Sequence, residues 1–161
     1  MPVAGRRTET AFRALILAFG LLKRVMEPFF TRFGISGSQW GVLRVLHRAQ
    51  EEGQGAIRLT DLSTRLLIRP PSVTGTIDRL ERMGLVARRV SATDQRAREV
   101  GLTPAGRRLM RRILKEHPAQ VSVVLAGLGS SEQDELHRLL EQMSAHMERM
   151  LDGSARLSGT G

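Results

Sequence analysis

The fold can be predicted from residues 59–106, LTDLSTRLLIRPPSVTGTIDRLERMGLVARRVSATDQRAREVGLTPAG. This stretch contains two short segments with apolar residues at helical spacing, separated by a break at Arg69-Pro70-Pro71-Ser72. Gly84 ends the second segment, and two extended segments, 85–91 and 98–102, flank the turn SATDQRA. Helix, turn, helix and hairpin in this order predict a winged helix-turn-helix, whose second helix enters the major groove of DNA.

The chain on either side of this stretch is predicted to be helical. Residues 8–30 are apolar around most of the helix circumference, and Pro28 is expected to kink or end this helix. A second helix spans 37–50 and begins with a capping box of Ser36 and Gln39. The stretch 51–56 is interpreted as a loop.

Three further helix boundaries follow from capping signals. Thr60 is expected to cap the first helix of the central motif. Thr103-Pro104 begins a helix to about Glu116, which His117-Pro118 interrupts or bends. Ser130-Ser131 caps the last helix, with apolar residues to Leu151.

These segments predict a mainly α fold with a small β-hairpin wing (α+β), a winged helix-turn-helix plus N- and C-terminal dimerisation helices. We expect a single domain over 1–161, with dimerisation helices at 8–35 and 104–151. The DNA-binding region is 37–103, and 152–161 is expected to be a disordered tail. The first and last helices carry more apolar surface than a small winged domain can cover, which favours a homodimer. A monomer with an antiparallel helix pair is the alternative.

The charge of the chain is concentrated in its middle third. The 161 residues include 25 Lys and Arg and 16 Asp and Glu, a net charge of +9. Residues 58–112 hold thirteen arginines and five acidic residues, a net charge of +8. Such a field favours a polyanionic partner, either nucleic acid or an anionic membrane surface, and the winged motif favours DNA.

Composition excludes several classes of function. The chain has no cysteine and no tyrosine, so disulfides and thiol-based redox sensing are excluded. No nucleophile–base pairing and no glycine-rich phosphate loop are apparent, which argues against an enzyme. We find no apolar run long enough to span a membrane and no secretion signal, so we expect a cytoplasmic protein without cofactors.

Two sets of residues are candidates for DNA contact. On the second helix of the motif, Ser72, Gly75, Arg79 and Arg82 lie opposite the core face of Val73, Ile77 and Leu80. Around the hairpin tip lie four arginines, Arg88, Arg89, Arg96 and Arg98. An arginine at such a tip suits the minor groove, and Asp94 is placed to orient Arg96.

The runs 59–83 and 84–106 resemble the MarR family of multiple-antibiotic-resistance-type transcriptional regulators. The most specific signals are the Asp-x-Arg wing and the x-Val-x-Leu-Thr-x-x-Gly that follows it, and LAGLGSSEQDELHRLLEQM is similar to the family's closing helices. The resemblance implies a homodimer on a pseudo-palindromic operator. It places Ser72, Thr74 and Thr76 in the major groove and Arg79 at its phosphate edge, with Arg96 in the minor groove steadied by Asp94. Many members carry arginine where this chain has Gly75, so a contact is lost or moved.

The resemblance also implies a small anionic or aromatic ligand in a crevice beside the dimerisation helices. Trp40, Arg44 and His47 lie on one stripe of the second helix and suit an aromatic carboxylate. The alternative is that Trp40 is a core anchor. His137 and Glu141, spaced i, i+4, are expected to be a surface pair and not a metal site.

The function predicted from these observations is a DNA-binding regulator, a repressor that a ligand releases by favouring another separation of the recognition helices. Activation is left open. The alternative is a ligand-independent or architectural protein that coats DNA with low sequence preference.

Overall fold

The computed structural model describes residues 3–67, 70–91 and 97–158. The helices and strands within these ranges are α1 (Val3–Thr31), α2 (Gly37–Glu51), β1 (Ala56–Arg58), α3 (Leu59–Leu66), α4 (Pro70–Arg82), β2 (Val86–Val90), β3 (Arg98–Leu102), α5 (Pro104–Leu125) and α6 (Ser130–Ser158). The predicted fold class is confirmed. The chain divides into two compact units, Met1–Gln120 and Val121–Gly161, where the sequence led us to expect one domain.

The core of the first unit is formed by the inward faces of α2, α3, α4 and α5 with one face of the sheet. On α4, Val73, Ile77 and Leu80 are at most 1% exposed, as the helical spacing predicted. They are buried together with side chains of the neighbouring elements, namely Leu43, Leu46, Leu62, Val100, Met110 and Ile113. This burial fixes which face of α4 remains outside.

Two predicted caps are confirmed in the structure. The Gln39 N–H donates to Ser36 Oγ at 3.3 Å, and the Ser36 N–H donates to Gln39 Oε1 at 2.8 Å, which completes the capping box of α2. Thr103 Oγ1 accepts from the Gly106 N–H at 3.1 Å and donates to the Gly84 carbonyl at 2.6 Å. Thr103 therefore both starts α5 and fastens it to the end of α4.

The sheet has three antiparallel strands in the order β1-β3-β2. Val86, Val100 and Leu102 face the core, so the predicted alternation of β3 is confirmed. Strand β1 was not predicted from the sequence. The loop predicted over residues 51–56 is corrected at both ends, because α2 continues to Glu51 and β1 begins at Ala56. The strand is three residues long, and it exists because Ile57 pairs with Val100.

Two prolines that were expected to kink or end a helix (Pro28) or to interrupt or bend one (Pro118) lie inside their helices, so neither ends its helix. Pro28 is in α1, which continues to Thr31, and the next two residues, Phe29 and Phe30, are 3% and 4% exposed. Pro118 is in α5, which continues to Leu125. A proline removes one backbone hydrogen bond from a helix, and burial of neighbouring apolar side chains offsets that loss in α1.

Three other boundaries differ from the prediction. Thr60 lies inside α3, whose N-cap is Arg58 and whose first turn receives no capping hydrogen bond from the N-cap side chain, so Thr60 is not the cap. At α6 the Gly129 N–H donates to Glu132 Oε2 at 2.7 Å, so the start of this helix is satisfied by Glu132. The helix α6 reaches Ser158, which corrects the disordered tail expected from residue 152 as far as residue 158, and residues 159–161 lie outside the described residues.

In the described part of the chain, no helix combines the length and the apolar character that a membrane span requires.

Candidate nucleic-acid interface

The outer face of α4 (Ser72, Gly75, Arg79 and Arg82) is accessible. Ser72, Arg79 and Arg82 are exposed, and Thr74 and Gly75 are half-buried. A Cβ placed on Gly75 would meet no heavy atom within 4 Å, so the space above this residue is open. A polar face with small residues and arginines can approach bases and phosphates closely.

Thr76 does not share this face, which corrects its predicted position. Its residue is 7% exposed, and its Oγ1 donates to the Ser72 carbonyl at 3.1 Å. Thr76 lies three residues after Val73 and four before Leu80, so the helix turns it toward the core. The hydroxyl is satisfied within α4 and is not presented to a groove.

Helix α4 is fastened to the hairpin by Arg88 of β2. The Arg88 guanidinium donates to Asp78 Oδ1 at 2.5 Å and also to Glu81, whose Oε1 accepts from the Arg88 N–H at 3.0 Å. Burial alone would lower the pKa of Arg88, but the hydrogen bonds to Asp78 and Glu81 outweigh it and raise the pKa. Arg88 is thus engaged inside the protein, and it links α4 to β2.

The described part of the hairpin carries two exposed arginines, Arg89 and Arg98. Arg89 Nε donates to Glu99 Oε2 at 3.3 Å. A hydrogen bond from Ser91, followed by the one from Arg89, lowers the pKa of Glu99. The two residues predicted for the tip itself, Asp94 and Arg96, lie outside the described residues.

The residues predicted as a ligand stripe on α2 are only partly together. Trp40 is half-buried and stacks on Phe30 with ring centroids 5.2 Å apart, as expected of a core anchor. The Arg44 guanidinium lies 5.7 Å from the centre of the Trp40 ring. His47 instead places its Nδ1 3.3 Å from Glu51 Oε2.

His117 completes an aromatic cluster with Phe29, Phe30 and Trp40, and its ring centroid is 5.0 Å from that of Trp40. Burial, and then the charge of Arg44, lower the pKa of His117. This role was not predicted from the sequence, because His117-Pro118 is also the pattern of a helix interruption. The packing of aromatic residues of α1 against α5 cannot be seen from the sequence of either segment alone.

Large apolar side chains remain exposed on α1 of the first unit, namely Phe12, Ile16, Leu17, Phe19, Leu21, Leu22 and Val25, each between 43% and 64% exposed. In the second unit, α6 likewise exposes Leu136, Leu139, Leu140, Met147, Met150 and Leu151. Contiguous apolar faces of this kind are typical of interaction surfaces.

Metal ligands do not cluster in the described part of the chain, where no group of three or more His, Asp or Glu could hold an ion. His137 Nε2 lies 3.4 Å from Glu141 Oε1, and both side chains are at least 70% exposed. They form the expected surface pair.

Comparison with known proteins gives concordant matches. The model of the MarR family matches residues 33–97. An uncharacterized HTH-type transcriptional regulator of Bacillus subtilis, YkoM, is 30% identical over 145 residues, which cover 90% of this chain and 91% of YkoM. The homoprotocatechuate degradative operon repressor of Escherichia coli is 29% identical over 132 residues, or 82% and 86% of the two chains.

A solved structure has the same fold. BpsR of Bordetella bronchiseptica, whose DNA binding is regulated by 6-hydroxynicotinic acid, superimposes with a TM-score of 0.73 at 26% identity. The superposition covers 84% of this chain and 98% of BpsR.

Proposed function

Because the chain belongs to the MarR family of transcriptional regulators, we propose that it is a dimeric, sequence-specific DNA-binding repressor that a small-molecule ligand releases from its operator. The observation that carries this proposal is the open polar face of α4, held against the hairpin by Arg88 within the most basic third of the chain. Its relatives are regulators, and the E. coli relative is a repressor. We propose no enzymatic activity and, since the target is DNA, action in the cytoplasm.

The outer face of α4 enters the major groove in this proposal. Ser72 and Thr74 reach base edges, and Arg79 binds phosphate at the groove edge. Arg98 at the start of β3 adds a phosphate contact, while Arg96, oriented by Asp94, enters the minor groove. The open space at Gly75 leaves the chain without a side-chain contact at that point of the operator.

A second copy of the chain is proposed to cover the apolar face of α1, which forms the homodimer. Exposure of seven large apolar residues to water costs free energy, about 25 cal/mol per Å² of apolar area. Pairing with a second copy removes this area from water. A two-fold dimer presents two copies of α4, so the operator has half-site centres about one helical turn (~10 bp) apart.

Ligand release is supported by the likeness to BpsR, whose DNA binding 6-hydroxynicotinic acid regulates. A ligand that binds one separation of the two α4 helices better than another changes the affinity for DNA by linkage. Trp40 with Arg44 above its ring is the candidate site on α2.

A competition experiment tests the proposal. The tightest-binding duplex from the region upstream of the gene is labelled, and binding is followed by fluorescence anisotropy at fixed salt in excess non-specific DNA. We expect Arg79→Ala and Arg96→Ala each to weaken binding by about 5- to 100-fold, which corresponds to about 1–3 kcal/mol. The matched control is Arg138→Ala, an exposed arginine of α6 paired with Glu135.

The outcome decides between two functions. Retention of one duplex against excess competitor identifies a specific regulator, and loss of binding to all duplexes alike identifies an architectural DNA-coating protein. Wild-type affinity in Arg79→Ala and Arg96→Ala would overturn the proposed interface.

A further inference from the structure

Leu67 ends helix α3 in a backbone conformation that leucine rarely adopts. Its φ is +53° and its ψ is +33°, in the left-handed region, and its N–H donates to the carbonyls of Ser63 and Thr64. In this region the Cβ of a side chain crowds the following carbonyl oxygen, which is a cost that glycine avoids. The other described positions with positive φ are all occupied by glycine, namely Gly34, Gly53, Gly55 and Gly84.

The side chain of Leu67 is also unusually exposed. At 82% exposure, Leu67 is the most accessible of the large apolar residues whose burial the structure describes. The long side chain of Arg65 is engaged elsewhere, since its guanidinium donates to Gln54 Oε1 at 2.9 Å and lies 3.5 Å from Glu52 Oε2. Leu67 therefore carries a backbone cost and an exposure cost, and at this exposure its side chain makes too few contacts within the chain to offset them. Backbone strain that the fold does not use is typical of residues that serve a function.

Leu67 lies beside the end of α4 that we propose enters the major groove. Three residue steps separate it from Pro70, the first residue of α4, so the two Cα atoms are within about 11 Å of each other. Pro71 and Ser72 in the first turn of α4 are exposed as well. In helix-turn-helix proteins the N-terminal residues of the second helix contact the base edges. Because Leu67 is continuous with this surface, DNA is favoured over a protein as its partner.

We propose that Leu67 is a specificity residue that packs against the C5-methyl group of a thymine in the operator, a role that rests on the proposed DNA binding. Leucine has no hydrogen-bonding side-chain atom, so it distinguishes bases only by apolar contact. Thymine is the one base that presents a methyl group in the major groove. Packing of the leucine on this methyl group removes both from water, which offsets the exposure cost of the free chain. Each half-site of the operator therefore contains a thymine that is selected through Leu67, in addition to the contacts of Ser72, Thr74 and Arg79.

Deoxyuridine substitution tests this contact, because deoxyuridine keeps the hydrogen-bonding groups of thymidine and lacks only the methyl group. Each thymine of the tightest-binding duplex is replaced in turn, and affinity is measured by fluorescence anisotropy at fixed salt in excess non-specific DNA. For the wild-type chain we expect one thymine in each half-site whose replacement weakens binding about fourfold, which corresponds to the ~0.8 kcal/mol of one buried CH₂ group.

Leu67→Gly removes the contact from both subunits of the proposed dimer. We expect this variant to bind the unmodified duplex about 15-fold more weakly, the product of two fourfold losses, and to be insensitive to deoxyuridine at that thymine. Leu67→Met is the matched control, since methionine keeps an apolar side chain of similar volume. It should bind within about threefold of wild type and retain the sensitivity to deoxyuridine.

Thermal unfolding without DNA separates this role from a role in the fold. Asparagine adopts positive φ more readily than leucine, so Leu67→Asn is expected to raise the midpoint of unfolding by about 2 °C. A lower midpoint in Leu67→Asn would show that Leu67 stabilises the folded chain, and it would overturn the proposal.

The DNA measurements distinguish failure of this proposal from failure of the proposed function. If no duplex is retained against the competitor, the proposed function fails, and the role of Leu67 fails with it. If a duplex is retained but wild type and Leu67→Gly respond alike to deoxyuridine at every thymine, specific DNA binding stands and the contact of Leu67 with a thymine methyl group is refuted.

Discussion

Arg88 on strand β2 places its guanidinium 2.5 Å from the carboxylate of Asp78 on helix α4. Because Arg88 also pairs with Glu81, one side chain joins the hairpin to two successive turns of the helix that we propose enters DNA. The contact spans ten residues of sequence and two different elements. It therefore links strand β2 directly to helix α4 through side-chain contacts.

Removing this contact should affect both stability and DNA binding. Arg88→Ala leaves Asp78 and Glu81 facing one another without a cation, and we expect it to lower the free energy of unfolding by about 1–2 kcal/mol. Urea denaturation followed by circular dichroism measures this change. The control is Arg98→Ala, at an exposed position of β3, for which the change in the free energy of unfolding should stay within about 0.5 kcal/mol. Equal stability of the two variants would contradict the role of Arg88.

Two glycines should respond in opposite ways to alanine. Gly106 lets α5 lie against the end of the hairpin, since a Cβ there would be 2.1 Å from the Leu85 carbonyl. Gly106→Ala should therefore destabilise the fold by about 1–3 kcal/mol through overpacking. Gly75→Ala meets no atom and removes a flexible residue from α4, so it should stabilise by about 0.5–1 kcal/mol. Thermal unfolding of both variants checks the pair, and a stable Gly106→Ala would contradict the close approach.

The aromatic cluster should make stability depend on pH. Burial lowers the pKa of His117, with Arg44 as the second cause, so the folded chain binds a proton there less readily than the unfolded chain. The unfolded value is about 6.5. The stabilising contribution is therefore complete above that pH and is lost as the pH falls toward the folded pKa.

His117→Phe keeps an aromatic ring and removes the titration. We expect a shallower loss of stability between about pH 7 and pH 5 in this variant than in wild type. Urea titrations at a series of pH values measure the slope. Superimposable pH profiles of wild type and variant would show that His117 does not carry this dependence.

A charge on the exposed face of α1 should break the proposed dimer. Leu17 is 64% exposed, and Leu17→Glu would bury a carboxylate in the interface, which costs several kcal/mol unless it is paired. Sedimentation equilibrium should show a dimer for wild type and a monomer for this variant at micromolar concentration. Leu67→Glu, at an 82% exposed residue after α3, is the control and should remain dimeric. A monomeric wild type would contradict the dimer.

Local signals in the sequence predicted most of the fold. Ser36 with Gln39 and Thr103 with Pro104 locate helix starts because a cap depends on residues that are close together in the sequence. Gly84 follows α4 with φ of +70°, a conformation that glycine adopts without strain. The spacing of Val73, Ile77 and Leu80 gave the core face of α4 correctly.

Features that depend on distant partners were not predictable. Strand β1 is too short for a periodic signal and forms by pairing with residues more than forty positions later. The contact between Arg88 and Asp78, and the packing of His117 on Trp40, likewise join elements whose meeting no local pattern records. Thr76 was assigned to the wrong face of α4. It lies at the boundary between the outer face and the core face of the helix, and the packing of neighbouring elements buries it.

In the proposed complex, two copies of α4 bind a specific, two-fold symmetric DNA sequence. This specificity is measured by selecting tight binders from a random duplex library, at fixed salt with excess non-specific DNA. We expect an enriched pseudo-palindrome with half-site centres about 10 bp apart, and loss of this enrichment in Arg79→Ala. Recovery of unrelated sequences without a shared motif, or of one asymmetric half-site, would contradict it.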